Sequence, residues 1–181
     1  MKRRVPVPNT FEPIDEAVDD AWEALRGNPI ADRIFYGASE AANFSRLWHG
    51  IGIVQAVVLR DPKRALRNSA ALGFEAALVN GPIKSLFERE RPEVSDRPLK
   101  LRQPKTSSFP SGHASAAVVA ASFLTPGMPW PVRTAIKVLA AIVSTSRIHV
   151  QIHHATDVAA GAATGWILAR IARAVLHRFL P

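Results

Sequence analysis

Three short stretches of this chain carry the residue types needed to hold a phosphate dianion and attack it with an imidazole. Lys84 is followed by Arg91 and Pro92, Pro110-Ser111-Gly112-His113 are consecutive, and Ser146-Arg147 precede His153 and Asp157. His153 and Asp157 are four apart and share a face if a helix reaches back that far. A carboxylate on one imidazole nitrogen fixes the tautomer and leaves the other nitrogen free to attack. His154, three residues from Asp157, passes the same spacing test, so helical spacing leaves both histidines open. Arg147 offers a planar fork to phosphate oxygens. Backbone N–H groups around Ser111 and Gly112, before an apolar stretch, suit an anion at a helix start, and the Ser111 hydroxyl adds a donor. His113 stands where a general acid could protonate a departing alkoxide. Lys84 and Arg91 lie two turns apart on one face if their segment is helical, with Pro92 ending or redirecting it.

These groups need a scaffold, and the chain reads as helical throughout. Phe11, Ile14, Val18, Trp22 and Leu25 recur at helical spacing, interleaved with Glu12, Asp15, Glu16, Asp19, Asp20 and Glu23, up to Gly27-Asn28-Pro29. This acidic amphipathic helix is a poor anchor for anionic lipid and is expected to pack near the chain's own basic loops. A second helix is expected from about Ala31 to Phe44. Five apolar segments follow, roughly Leu47–Leu59, Ser69–Leu86, His113–Leu124, Ala135–Ser146 and Val158–Leu176, with Glu75 and Lys137 interrupting two of them. None is an unbroken apolar run of about 20 residues, the usual span of a bilayer, so a soluble helical bundle is the rival architecture. Small residues throughout, Gly161 and Gly165 in G-x-x-x-G spacing, and Trp48 and Trp130 near segment ends favour a membrane bundle. Residues 87–110 form one long polar connection, joining the first motif to the second.

The 181 residues carry a net charge of +8 and no cysteine, which excludes disulfides and thiolate metal sites and points to an anionic partner. From Arg97 onward there are ten Lys or Arg and one acid, Asp157. A lone carboxylate among so many cations suits a dedicated role. Nucleic acid fits the charge but little else, since aromatic residues are few and Tyr36 is the only tyrosine. The N-terminus has no apolar core of the kind a cleavable signal peptide carries.

In order and spacing, the three stretches resemble the signature of the type 2 phosphatidic acid phosphatase superfamily, over about residues 45–175. That group includes bacterial acid phosphatases and vanadium haloperoxidases. The resemblance implies an all-α membrane helical bundle, here with about five apolar helices plus N-terminal amphipathic helices. Residues 1–45 would be the tail and amphipathic helices, and residues 46–181 the phosphatase bundle. It also implies that Lys84, Arg91, Ser111, Gly112 and Arg147 bind phosphate, that His113 is the acid, His153 the nucleophile and Asp157 its orienter, and that no metal or other cofactor is needed. The expected partners are membrane lipids and a lipid phosphate: a polyprenyl phosphate or diphosphate, a polyprenyl-phospho-sugar phosphate, phosphatidic acid or phosphatidylglycerophosphate. The expected location is the cell membrane, multi-pass. Two other readings are a phosphate-lipid binding protein without turnover and a helical metalloprotein using His149, His153 and Asp157 at i, i+4 and i+8.

Overall fold

The computed structural model describes residues 5–92 and 106–179; residues 93–105 of the expected polar connection, with Pro98 and Pro104, lie outside them. The described chain is mostly helical. The helices are α1 (Glu12–Glu23), α2 (Pro29–Ala41), α3 (Arg46–Val58), α4 (Pro62–Leu78), a single turn α5 (Lys84–Leu86), α6 (Gly112–Leu124), α7 (Trp130–His149) and α8 (Ala155–Phe179). Two short strands, β1 (Val5–Pro6) and β2 (Phe87–Glu88), pair in parallel. Each apolar segment read from the sequence thus lies mainly within a helix.

Local chemistry explains several boundaries. Asn28 caps α2, accepting from the N–H groups of Ile30 at 3.0 Å and Ala31 at 3.2 Å, with Pro29 at the first helical position. Asp61 caps α4 in the same way, accepting from Lys63 N at 3.1 Å ahead of Pro62, so α4 starts well before the apolar run at Ser69. Pro82 has no N–H to donate, and with Gly81 it turns the end of α4 into a π-helical segment, Val79–Ile83. That distortion re-aims the chain just before Lys84.

Helix α6 is apolar all round and lies at the centre, packed against α3, α4, α7 and α8. The core joins Trp48, Leu72, Val79, Val119, Leu124 and Val143 with alanines of α6. Trp48 is therefore a core residue, not the membrane-interface residue its place near a segment end suggested; it is fully buried, and Asn68 Nδ2 donates to its carbonyl at 3.0 Å. Trp130, by contrast, is exposed at the start of α7. Exposed apolar side chains line α3 (Ile53, Val54, Val57, Val58) and α8 (Trp166, Ile167, Ile171, Val175). Among the described residues, one helix is long and apolar enough to cross a bilayer, Ala155–Leu176 within α8; α6 is apolar but shorter.

The G-x-x-x-G pair sits at the closest helix crossing. A Cβ added at Gly161 would run into the backbone carbonyl oxygen of Ser111, and one at Gly165 into that of Ser115. The small residues let α8 approach α6 backbone to backbone. Gly161→Ala is expected to destabilise the protein by at least about 2 kcal/mol, because backbone rather than a side chain must move. Gly73→Ala is the matched control: nothing lies within 4 Å of its Cβ position, so the change is expected to be neutral or stabilising. Thermal unfolding of both variants in detergent checks the contrast.

Candidate active site

The third motif is built on a helix break. Helix α7 ends at His149, and α8 begins at Ala155. Between them the Arg147 carbonyl accepts from the N–H groups of Ile152 and His153, each at 3.1 Å, while Gln151 takes a left-handed φ of 52°. His153 therefore stands on a turn, not on a helix face shared with Asp157. The turn still brings the pair together: His153 Nδ1 lies 3.4 Å from Asp157 Oδ2. The same break separates the three residues of the metal reading. His149 belongs to the last turn of α7, where Nε2 meets Asp32 Oδ1 at 2.7 Å and the ring stacks on Phe35 at 4.6 Å. Among the described residues, no group of three metal-ligating side chains converges.

The first motif departs from the expected helix in a similar way. After Leu86 the chain is extended, so Arg91 reaches the site along a strand-like segment rather than two helical turns beyond Lys84. Arg91 Nη1 donates to the Ile152 carbonyl at 2.9 Å and lies 3.3 Å from His153 Nε2. Its Nη2 donates to the carbonyls of Thr106 at 3.1 Å and Ser107 at 3.3 Å. A guanidinium can only donate, so the Nε2 facing it carries a lone pair and the ring proton sits on Nδ1, toward Asp157. Burial, together with Arg147 and Arg91 and against the pull of Asp157, lowers the His153 pKa to about 3. The imidazole is neutral at pH 7, as attack through Nε2 requires.

The second motif closes the site. Ser111 precedes the first residue of α6, and its N–H donates to the Asp157 carbonyl at 2.9 Å, which ties the start of α6 to the first turn of α8. The Ser111 hydroxyl is buried and has no hydrogen-bond partner among the described residues. Lys84, Gly112, His113, Arg147 and His153 share one cavity of about 500 Å³, with Asn80 and Glu75 in its wall. Arg147 is buried and anchored by the Ser39 hydroxyl of α2. The structure thus gathers Lys84, Gly112, His113, Arg147 and His153 around the cavity. Ser111, Asp157 and Arg91 flank it through Gly112 and His153.

His154 competes with His153, since its Nδ1 is also 3.4 Å from Asp157 Oδ2, in hydrogen-bonding geometry, and its N–H donates to the same oxygen at 3.0 Å. Location separates them. His154 has a part-exposed side chain and does not line this cavity, whereas His153 is 3 % exposed and does.

Sequence reasoning passes over Arg89. Its Nη1 donates to Asp157 Oδ1 at 2.7 Å and to Thr156 Oγ1 at 2.8 Å. A signal is available: in an extended chain, residues i and i+2 face the same way, so Arg89 and Arg91 share a side. A helical reading of the segment hides it. The acidic helix α1 packs on a basic loop as expected, through Asp15 and Arg89, and α2 touches this end of the bundle through Asp32 and Ser39.

Residues 65–180 match the PAP2 superfamily, and the chain belongs to it. It is 32% identical over 120 residues to decaprenylphosphoryl-5-phosphoribose phosphatase of Mycobacterium tuberculosis, covering 65% of each chain. The match thus spans just under two thirds of that relative's length. Over 172 residues it is 28% identical to phosphatidylglycerophosphatase B of Bacillus subtilis, covering 88% of this chain and 82% of that one. Its structure is similar to the crystal structure of a transmembrane PAP2-type phosphatidylglycerolphosphate phosphatase from Bacillus subtilis. The TM-score is 0.71 at 26% identity, over 94% of this chain and 88% of that one.

Proposed function

We propose that this chain is a multi-pass cell-membrane phosphatase that hydrolyses a phosphomonoester or diphosphate of an amphiphilic lipid through a phosphohistidine. The observation that carries the reading is His153, with Asp157 Oδ2 3.4 Å from Nδ1 and Arg91 Nη1 3.3 Å from Nε2, at the wall of a cavity lined by Lys84, His113 and Arg147. The substrate phosphate takes the place of the His153 lone pair as acceptor for Arg91, and Lys84, Arg147, the Ser111 hydroxyl and the N–H groups at the start of α6 surround its other oxygens. Nε2 then attacks phosphorus in line: the P–N bond forms, the P–O bond to the lipid breaks, and the cations stabilise the charge spread over the equatorial oxygens. His113 gives its proton to the leaving oxygen, and Asp157 stabilises the substituted imidazolium. Water, deprotonated by His113, cleaves the P–N bond and releases inorganic phosphate. No step calls for a metal.

The apolar side chains exposed on α3 and α8 support a lipid-facing surface, as does the likeness to a transmembrane enzyme. In this reading the bundle of residues 46–181 holds the lipid chain beside its helices, and residues 1–45 brace the catalytic end. The relatives' names point to polyprenyl-linked and glycerolipid phosphates as the substrate class.

Phosphate release from a panel of undecaprenyl phosphate and diphosphate, phosphatidic acid and phosphatidylglycerophosphate in detergent tests the proposal. At least one is expected to be hydrolysed, with activity unchanged by exhaustive chelation and blocked by vanadate. Loss on chelation with rescue by zinc overturns the mechanism. Vanadate-sensitive lipid binding without phosphate release makes the chain a binding protein instead.

A further inference from the structure

Phe11, just before α1, and Asp15, Val18 and Trp22 within it are spaced four, three and four apart and form its inward stripe, with Asp15 buried and the other three partly buried. Three of these are large and apolar; the fourth is a carboxylate. Asp15 is 6 % exposed, while its acidic neighbours Glu12, Glu16 and Asp20 are in solvent. Val18 and Trp22 pack against the cluster of Ala114, Ile148 and Val158, so the stripe faces the catalytic end of the bundle. A carboxylate on such a row is costly unless it is paired and hydrogen-bonded where it lands.

Asp15 lands on three donors. Its Oδ1 accepts from Thr156 N at 2.8 Å, and its Oδ2 accepts from Thr156 Oγ1 at 2.9 Å and from Arg89 Nη2. Thr156 N is one of the orphan donors in the first turn of α8, so Asp15 caps that helix from a different element and complements its dipole. Arg89 in turn donates from Nη1 to Asp157 Oδ1 at 2.7 Å, while Oδ2 accepts from His154 N at 3.0 Å and lies 3.4 Å from His153 Nδ1. Every described partner of Asp15 is thus bound to, or adjacent to, Asp157. The match to the PAP2 superfamily begins at residue 65, so Asp15 lies outside it.

We infer that Asp15 is a positioning residue of the reaction. Through Arg89 and the N-terminus of α8, the N-terminal helix fixes Asp157 against His153 and thereby holds the imidazole in its Nδ1–H form. This rests on the phosphohistidine reading above. It gives a catalytic purpose to the packing of the acidic helix on a basic loop, and it explains why one cation, Arg89, sits between two buried carboxylates.

The test is a double-mutant cycle in purified full-length protein, on the best substrate of the lipid panel. Asp15→Asn is expected to lower kcat 10- to 100-fold with KM within threefold, because Asp15 does not reach the phosphate cavity. Arg89→Gln is expected to lower kcat at least as far. The double variant is expected to lose clearly less than the product of the two single losses, since Asp15 acts in part through Arg89. Glu16→Gln, the same charge change on the exposed face of α1, is expected to leave kcat within twofold. A kcat within twofold for Asp15→Asn, or losses that multiply in the double variant, overturns the inference. A second readout needs no turnover. In 15N-histidine-labelled protein, with His153 assigned by its absence in His153→Ala, the Nδ1–H tautomer is expected to dominate and to become mixed in Asp15→Asn. An unchanged tautomer overturns the positioning role, whereas an inactive parent with the expected tautomer change overturns only the phosphatase reading. Should Asp15→Asn not fold, Asp15→Glu, which keeps the charge but displaces it by a methylene, is read by the same two criteria.

Discussion

His153→Ala is expected to lose at least about 10⁴-fold in kcat on every substrate, since among the described residues no other histidine of the cavity is paired with a carboxylate and placed to replace it. The fold should survive, because the backbone of residue 153, not its ring, is bonded to the Arg147 carbonyl. An acid-labile, alkali-stable phosphoenzyme is expected from the parent after rapid quench with labelled substrate, and none from His153→Ala. His154→Ala provides the internal comparison. It is expected to stay within about threefold of the parent, since His154 stands outside the cavity that holds Lys84, His113 and Arg147. Equal trapping of phosphoenzyme in the parent and His153→Ala would remove His153 from the role, and loss of trapping in His154→Ala alone would transfer it.

The distinction between the two histidines shows what is legible in the chain and what is not. Helical content follows from periodicity, and a close helix contact along α8 follows from Gly161 and Gly165, because a missing side chain is a statement about distance; that the partner is α6 does not. Residue types at the site are legible because a phosphate dianion demands a short list of partners. Their geometry is not, because helical spacing does not hold across two places where the helix stops. Lys84 and Arg91 are joined through the two-residue strand β2 and a short irregular segment, and His149, His153 and Asp157 straddle a turn with Gln151 in a left-handed conformation. No proline or glycine marks that turn; it is made by bonds to the Arg147 carbonyl, which helical spacing does not report. Trp48 misleads for a similar reason, since a tryptophan near a segment end fits a bilayer interface and a core equally well until its neighbours are known. Asp15 is visible as an acid on an apolar row. Its partner is hidden, because the pairing with Arg89 spans 74 residues.

The last expectation separates the acid from the nucleophile. His113 is the second residue of α6, facing the same cavity as His153, and its Nε2 is buried and without a hydrogen-bond partner among the described residues. A group so placed meets the leaving oxygen only when substrate fills the cavity. General-acid help matters in proportion to the basicity of the leaving group and contributes about 10²- to 10⁴-fold. A lipid alcohol departs as a strongly basic alkoxide and needs the proton, whereas p-nitrophenolate departs readily without it. His113→Ala is therefore expected to lose about 10³-fold on a lipid monophosphate and less than about tenfold on p-nitrophenyl phosphate. His153→Ala is expected to lose both alike, since the bond it makes is needed whichever group leaves. A single plate of two variants against two substrates reads the comparison, with kcat/KM measured for each. Equal losses for His113→Ala on both substrates would mean that it positions the phosphate rather than protonating the leaving oxygen. The phosphoenzyme would then still form on His153 but would be cleaved without His113 as base. Release of trapped phosphate from His113→Ala, measured by chase after a p-nitrophenyl phosphate pulse, tests the role of His113 as that base. Phosphohistidine is expected to accumulate, because the fast leaving group removes the need for an acid in the first step but not for a base in the second.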